Sequence, residues 1–355
     1  MNLATLMRSI LSFFALHFCS LELISKKLEE QIEVHGFEFF GEMSGRVALY
    51  KLAQIIHKKT DRDVALIPDY ICNVVNTALE KAGFELLTYS TNEYLEPDVD
   101  DLMERLRSDQ VGLLLTASVF GSSALLEELK LSSVRDLILQ NNIHVIVDLC
   151  QDIDLITLLP SNYGENLSAI ISFNDKSFLG VMGGGILSKL RLPKTTTRMS
   201  CRKQCLLYKQ LFFKVFFCLK SKLHHGCSQI LRRGINSRSS LPKLNFDTRS
   251  QYEYSYCENF PYTFELYAMT KLQIIMALIG LSNRERLRKV KQEFIDECPC
   301  IRKTSYFETS AYLIVDCKLD KQRKVKPSYG MHYQPDHSQR PALKIVHNKG
   351  FCDEV

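Results

Sequence analysis

Two residues stand out for their chemistry and for what surrounds them. Asp148 closes the apolar run HVIVD (144–148). Lys176 follows the next apolar run, LSAIISF (167–173), inside the stretch SFNDKSFLGVMGGG (172–185). A carboxylate at the end of a buried strand is costly unless it is paired. It serves either as a strand-end or helix-cap charge, or as the holder of a positive partner. A lysine amine attacks a carbonyl carbon when it is neutral, and burial or nearby positive charge supplies the neutral fraction. In a loop, the same lysine is otherwise an ordinary surface charge, because lysine is almost never fully buried.

Together these two residues suit pyridoxal 5'-phosphate (PLP). Its aldehyde forms a Schiff base with a lysine, and its pyridine nitrogen is kept protonated by an acidic residue. It also carries a phosphate, and helix N-termini bind phosphate through backbone N–H groups and the helix dipole. Ser44-Gly45-Arg46 opens a helical stripe of Val47, Leu49, Leu52, Ile55 and Ile56. Glycine there lets backbone approach an anion closely. Ser44 equally suits a plain N-cap. Ser172 offers a further hydroxyl donor.

These residues must be positioned by the elements around them. VALIP (64–68), FELLTYS (84–90), VGLLLTASV (111–119), HVIVDLC (144–150) and LSAIISF (167–173) predict strands, with GGGILSK (183–189) as another. Helices are predicted between them over 72–83, 97–108 and 131–142, with Gly83 as a C-cap and acidic residues opening the second. Near-continuous apolar strands alternating with helices predict a mostly parallel sheet sandwiched by helices. Ligands collect at the carboxyl ends of such strands. The segments to watch are therefore 68–73, 120–121, 148–151 and 172–176.

With those residues in place, the region from about 40 to 190 resembles the DegT/DnrJ/StrS family of sugar aminotransferases, of the PLP-dependent fold type I superfamily. SGRVAL (44–49) is similar to the family's phosphate-binding loop, and PDYICNVVNTALEKAGFE (68–85) to the proline-led segment over the cofactor ring. VFG (119–121), VIVDLCQD (145–152) and SFNDKSFLGVMGGG follow in family order, and YAMTKLQIIMALIGLSNRERL (267–287) resembles a later helix. HYQPDH (332–337) is a fainter match.

The resemblance implies Lys176 as the covalent lysine and Asp148 at the pyridine nitrogen. It puts Gln151 against the cofactor, and Gly45, Arg46 and Ser172 at its phosphate. It also implies a keto-sugar substrate, commonly nucleotide-linked, an amino-acid donor such as glutamate, and a homodimer in amino-sugar or cell-surface polysaccharide synthesis. Those partners are small molecules rather than nucleic acid. The sequence departs from the family at several positions. Ser172 precedes Lys176 by four residues rather than five. Cys72 stands where an aromatic ring is usual, with Tyr70 as a substitute. Phe264-Glu265-Leu266-Tyr267-Ala268 lacks the family's Asn and Arg. A dehydratase branch of the family carries histidine in place of the lysine, which Lys176 disfavours. A catalytically silent relative with a binding or membrane-associated role is the alternative from another class.

The 355 residues divide into an N-terminal helical segment (1–40), a PLP-binding large domain (41–195), a basic aromatic insertion with a linker (196–265), and a long amphipathic helix with a small C-terminal α+β domain (266–355). The formal charge of +5 is concentrated in the second half, which suits a solvated basic face, an anionic ligand or an anionic lipid surface. Twelve cysteines form no disulfide framework and no paired zinc spacing, so a reducing, cytoplasmic setting without a metal is expected. Cys72 and Cys150, inside apolar runs, are expected to be buried. The apolar stretch from Ile10 to Ile24 falls short of a spanning helix. A helix packed on the domain, or one lying on a membrane surface, accounts for it. The Phe-rich stretch 204–223 suits a helix of either kind.

Overall fold

The computed structural model describes residues 3–32, 34, 36–91, 97–118, 124–150, 153–173, 182–209, 211–212, 263–282, 306–308, 312–316 and 343–347. Two compact units are present: Met1–Arg198 with Phe264–Val355, and Met199–Thr263.

The first unit is built on a seven-stranded sheet. In chain order its strands are β1 (Glu38–Glu42), β2 (Val64–Pro68), β3 (Glu85–Tyr89), β4 (Val111–Ala117), β5 (His144–Asp148), β6 (Leu167–Ser172) and β7 (Gly184–Ser188). Their spatial order is β1-β7-β6-β5-β4-β2-β3. Strands β3, β2, β4, β5 and β6 pair in parallel, and β7 runs antiparallel between β6 and β1. The expected α/β architecture is thus observed.

Helix α1 (Leu3–Phe18) and helix α2 (Leu21–Ile32) precede the sheet. Helices α3 (Gly45–Lys59), α4 (Asn73–Ala82), α5 (Val99–Leu106), α6 (Ala124–Glu128) and α7 (Ser132–Gln140) fall between the strands. Helix α3 packs on α4 and against β6 and β7. Leu49, Leu52 and Ile56 meet Ile67, Leu113, Leu115, Ile146, Ile170 and Ile186 in one core. The alternate strand residues Leu66, Leu114, Val145, Val147 and Ile171 are also buried. Because side chains alternate across a strand, both faces of the sheet are covered, as apolar parallel strands require.

Local sequence sets the helix ends. Ser44 caps α3, its Oγ accepting from Val47 N at 3.2 Å. His57, Lys58 and Lys59 close that helix, where the dipole favours cations. Asp98 caps α5 by accepting from Asp100 N and Asp101 N. Gly83 ends α4 at φ 108, a left-handed conformation that glycine adopts freely.

The second unit includes α8 (201–209). In the first unit, α9 (Lys271–Ser282) is buried on every side, from Leu272 to Leu281. The sequence pattern predicts an amphipathic helix over 270–294. The described part instead packs against both α1 and α2, so no face is left for water. Residues 283–294 lie outside the described residues, as does most of the Phe-rich stretch. A three-stranded antiparallel sheet, β8 (Tyr306–Glu308), β9 (Tyr312–Asp316) and β10 (Leu343–His347), completes the described chain.

Two buried polar clusters tie the elements of the first unit together. Lys51 Nζ donates to Glu42 Oε1 at 2.6 Å, to the Pro193 carbonyl at 2.6 Å and to Thr195 Oγ1 at 2.8 Å. Thr195 Oγ1 donates in turn to Glu42 Oε1 at 2.7 Å. At the amino end of β5, His144 Nε2 lies 3.0 Å from Ser168 Oγ, which is 2.7 Å from Ser188 Oγ. Leu190 N donates to Ser188 Oγ. This chain crosses β5, β6 and β7 at the opposite end of the sheet from Asp148 and Ser172.

Candidate functional site

The carboxyl ends of the central strands meet the start of α3. Strand β5 delivers Asp148 and β6 delivers Ser172 to this edge. Because β7 runs antiparallel, its first residue, Gly184, pairs with Ser172 and Glu42 there. Ser44 bridges to Gly183 just beyond. The first turn of α3 is thereby laid across the ends of β6 and β7.

The approach is close enough to demand glycine. A Cβ on Gly45 would come 2.7 Å from Cys150 Sγ, 3.0 Å from Ser172 Cβ and 3.2 Å from the Ile171 carbonyl. A Cβ on Gly184 would meet Gly45 N and the Ile171 carbonyl, each at 2.5 Å. The glycines at 45 and 184 therefore let two backbone segments touch. The triple glycine seen in the sequence is where β7 starts beneath the α3 N-terminus.

Asp148 is half-buried, and its Oδ1 accepts from Cys150 N at 2.8 Å. Its main-chain oxygen accepts from both Ser118 N and Ser118 Oγ at 3.0 Å, which locks the strand end. Cys150 is half-buried beside Gly45, and Cys72 is half-buried before α4. The sequence predicts both to be buried. Both pack against the core from the segments that follow β2 and β5.

Tyr70 is half-buried in the loop after β2. That loop is pinned by Asp69, whose Oδ1 accepts from Thr91 N at 3.1 Å and Thr91 Oγ1 at 2.7 Å. Strand order places β2 two positions from β5, roughly 10 Å at ordinary strand spacing. The Arg46 guanidinium lies 5.9 Å from the Phe264 ring centroid. Tyr50, one turn along α3, packs edge-on to that ring at 5.4 Å. Phe264 thus engages the Arg46 side chain. Lys176 and Gln151 lie outside the described residues, so their side chains are not placed. The bounds of β5 and β6 put the segments that carry them directly after these two strand ends.

Sequence reasoning missed one residue that holds the site. Gln273 is fully buried, and its Nε2 donates to the Met43 carbonyl at 2.9 Å. Its Oε1 accepts from Thr270 N at 3.0 Å. The Met43 carbonyl also accepts from Gly183 N at 2.7 Å, and Met43 N donates to the Tyr267 carbonyl at 3.1 Å. Helix α9 thereby fixes the residue just before Ser44 and the one just before β7. The signal was present as the Thr-x-x-Gln of the resembling helix, but its partner lies 230 residues away.

The α3 N-terminus at Gly45, a serine packed beside it and a carboxylate one strand over form a set whose chemistry fits PLP. Helix N-termini favour anions through their backbone N–H groups and dipole. Asp148 is an acid suited to a pyridine nitrogen.

No family model matches the chain, and no curated protein matches it. Solved structures share its fold. PseC from Helicobacter pylori, an aminotransferase involved in the biosynthesis of pseudoaminic acid, is 12% identical, with a TM-score of 0.52 over 89% of this chain and 77% of its own. NtdA from Bacillus subtilis, with bound cofactor PMP, is 12% identical, with a TM-score of 0.51 over 88% of this chain and 65% of its own. At these identities the likeness is one of fold.

Proposed function

We propose that the protein is a PLP-dependent aminotransferase that moves an amino group from an amino acid, glutamate in the first instance, to a keto sugar, commonly a nucleotide-linked one. The observation that carries this reading is the contact of Gly45 with Ser172 and Cys150. It packs the α3 N-terminus against the end of β6, on the same sheet edge as Asp148.

When bound, PLP supplies an aldehyde for covalent capture of an amine and a ring that accepts electrons. The chain's own residues do the rest. The α3 N-terminus at Gly45 and Arg46 and the Ser172 hydroxyl hold the phosphate. Asp148 holds the proton on the pyridine nitrogen. Gln151 and Tyr70 would contribute contacts to the cofactor's ring. Lys176 would be the residue that holds the cofactor's aldehyde end, and its amine would then serve as general acid and base toward the substrate carbon. A homodimer and a role in amino-sugar or surface-polysaccharide synthesis accompany this reading.

The test is spectroscopic. Wild-type protein mixed with PLP develops a visible absorbance band that borohydride removes, and excess glutamate bleaches it in a half-reaction. Lys176→Ala abolishes the band. Asp148→Asn keeps it and slows the half-reaction at least about a hundredfold. Half-buried Cys72, in the usual aromatic position, favours a second reading: a relative that binds the cofactor without turnover. A stable band that no amino donor bleaches supports that reading instead.

A further inference from the structure

We propose that the buried cluster of Glu42, Lys51 and Thr195 is a clasp that aims the N-terminus of α3 at the cofactor phosphate, a proposal that rests on the PLP reading given above. Glu42 is the last residue of β1, Met43 and Ser44 make the turn, and Lys51 stands in the second turn of α3. The bond from Lys51 Nζ to Glu42 Oε1, 2.6 Å long between residues nine apart in the chain, closes a ring around the turn that carries the helix cap. Thr195 completes it, because its Oγ1 accepts from Lys51 at 2.8 Å and donates to Glu42 at 2.7 Å. The segment bearing Thr195 is itself anchored. The Thr197 carbonyl accepts from Ala268 N at 3.0 Å, and Ala268 bridges back to Glu42.

Such a cluster stabilises weakly and locates well. The Lys51 and Glu42 side chains are 6% and 0% exposed, and taking both charges out of water offsets most of what their attraction returns. Glu42 spends Oε1 on both donors, while its Oε2 is buried with no hydrogen-bond partner among the described residues, a further cost. Leu49, Leu52 and Ile56 hold α3 on the sheet by apolar packing, which has no direction. The three bonds of Lys51 Nζ do have direction. They set the tilt and the height at which α3 leaves β1, and so where the backbone N–H groups of Gly45 and Arg46 stand relative to Ser172. A binding site needs that placement held to about 0.5 Å by the shell behind it. Glu42, Lys51 and Thr195 act here through the helix, as positioning residues.

The test titrates the full-length protein with PLP and with pyridoxal, which has the same aldehyde and ring but no phosphate. Wild type is expected to bind PLP more tightly. The double variant Glu42→Leu, Lys51→Met replaces the pair by apolar side chains, an exchange that buried ion pairs often tolerate. Its PLP affinity is expected to fall at least about tenfold while its pyridoxal affinity holds. Thr195→Val shows the same pattern more weakly, and Thr195→Ser, which keeps the hydroxyl, binds as wild type does. That milder pair carries the test should the double variant fail to fold, as judged by thermal unfolding. A merely structural role lowers both affinities alike or neither, and either result in a folded variant overturns the proposal. A wild type that binds PLP no better than pyridoxal overturns the phosphate site itself, and the clasp with it.

Discussion

Gly45, the first residue of α3, lies directly against Ser172, the last residue of β6: a methyl group on Gly45 would stand 3.0 Å from the Ser172 Cβ. The contact joins a helix N-terminus to a strand end 127 residues later in the chain. Gly45→Ala is therefore expected to cost about 1–3 kcal/mol by overpacking and to weaken PLP binding. Adding Cys150→Ala, which removes the sulfur 2.7 Å away, restores part of the stability. Urea unfolding of the cofactor-free single and double variants measures both effects.

Gln273 gives a second prediction. Gln273→Leu removes the donor to the Met43 carbonyl and the acceptor for Thr270 N in a fully buried place. The expected loss is about 1–3 kcal/mol, the cost of leaving buried polar groups unsatisfied. Because Met43 precedes the α3 cap, PLP affinity falls with it. Equilibrium titration of PLP against the folded variant, well below its unfolding temperature, reads this second effect.

Lys51 and Glu42 form a buried pair 2.6 Å apart. Burial raises the Glu42 carboxyl above its ordinary range, while hydrogen bonds from Lys51 and Thr195 and the Lys51 charge pull it back. Lys51→Met leaves that carboxyl without its cation and is expected to cost about 3–5 kcal/mol at neutral pH. The native carboxyl then holds its proton to higher pH than the unfolded one, so the loss grows as pH rises above the unfolded Glu value. The double variant Glu42→Leu, Lys51→Met recovers much of it. Thermal melts at pH 5 and pH 8 compare the three proteins.

His144 makes stability fall in acid. Burial, aided by the Lys59 charge, pushes its pKa down to about 3 from an ordinary 6.5. Between those values the unfolded chain binds a proton that the native state refuses. Stability is thus complete above the unfolded value and declines as pH drops toward 3, by about 1.4 kcal/mol per pH unit. His144→Asn, with an amide to face Ser168, flattens that limb. Urea midpoints from pH 7 to pH 4 show whether it does.

The sequence carries the sheet well because its strands are apolar on both faces, so VALIP, HVIVD and LSAIIS announce themselves without tertiary help. The placement of Gly45, Asp148 and Ser172 on one edge follows from that alternation and the rule for strand ends. What escaped depends on distant partners. EFFGE, strand β1, is short and flanked by carboxylates, and it becomes a strand because β7 pairs with it. The all-round burial of α9 needs α1 and α2 to cover it. Cys72 and Cys150 sit in apolar runs, yet they stand where those runs leave the core. Gln273 looks like one polar residue in a helix until Met43 is brought to it.

The central claim is that Lys176 is the residue that bonds the cofactor. Borohydride reduction of the PLP-loaded full-length protein, followed by peptide mass mapping, tests it directly. The account predicts one phosphopyridoxyl group per chain, on the peptide containing Lys176, and none in Lys176→Ala. A label that is absent, or that falls on another lysine such as Lys51 or Lys189, contradicts it.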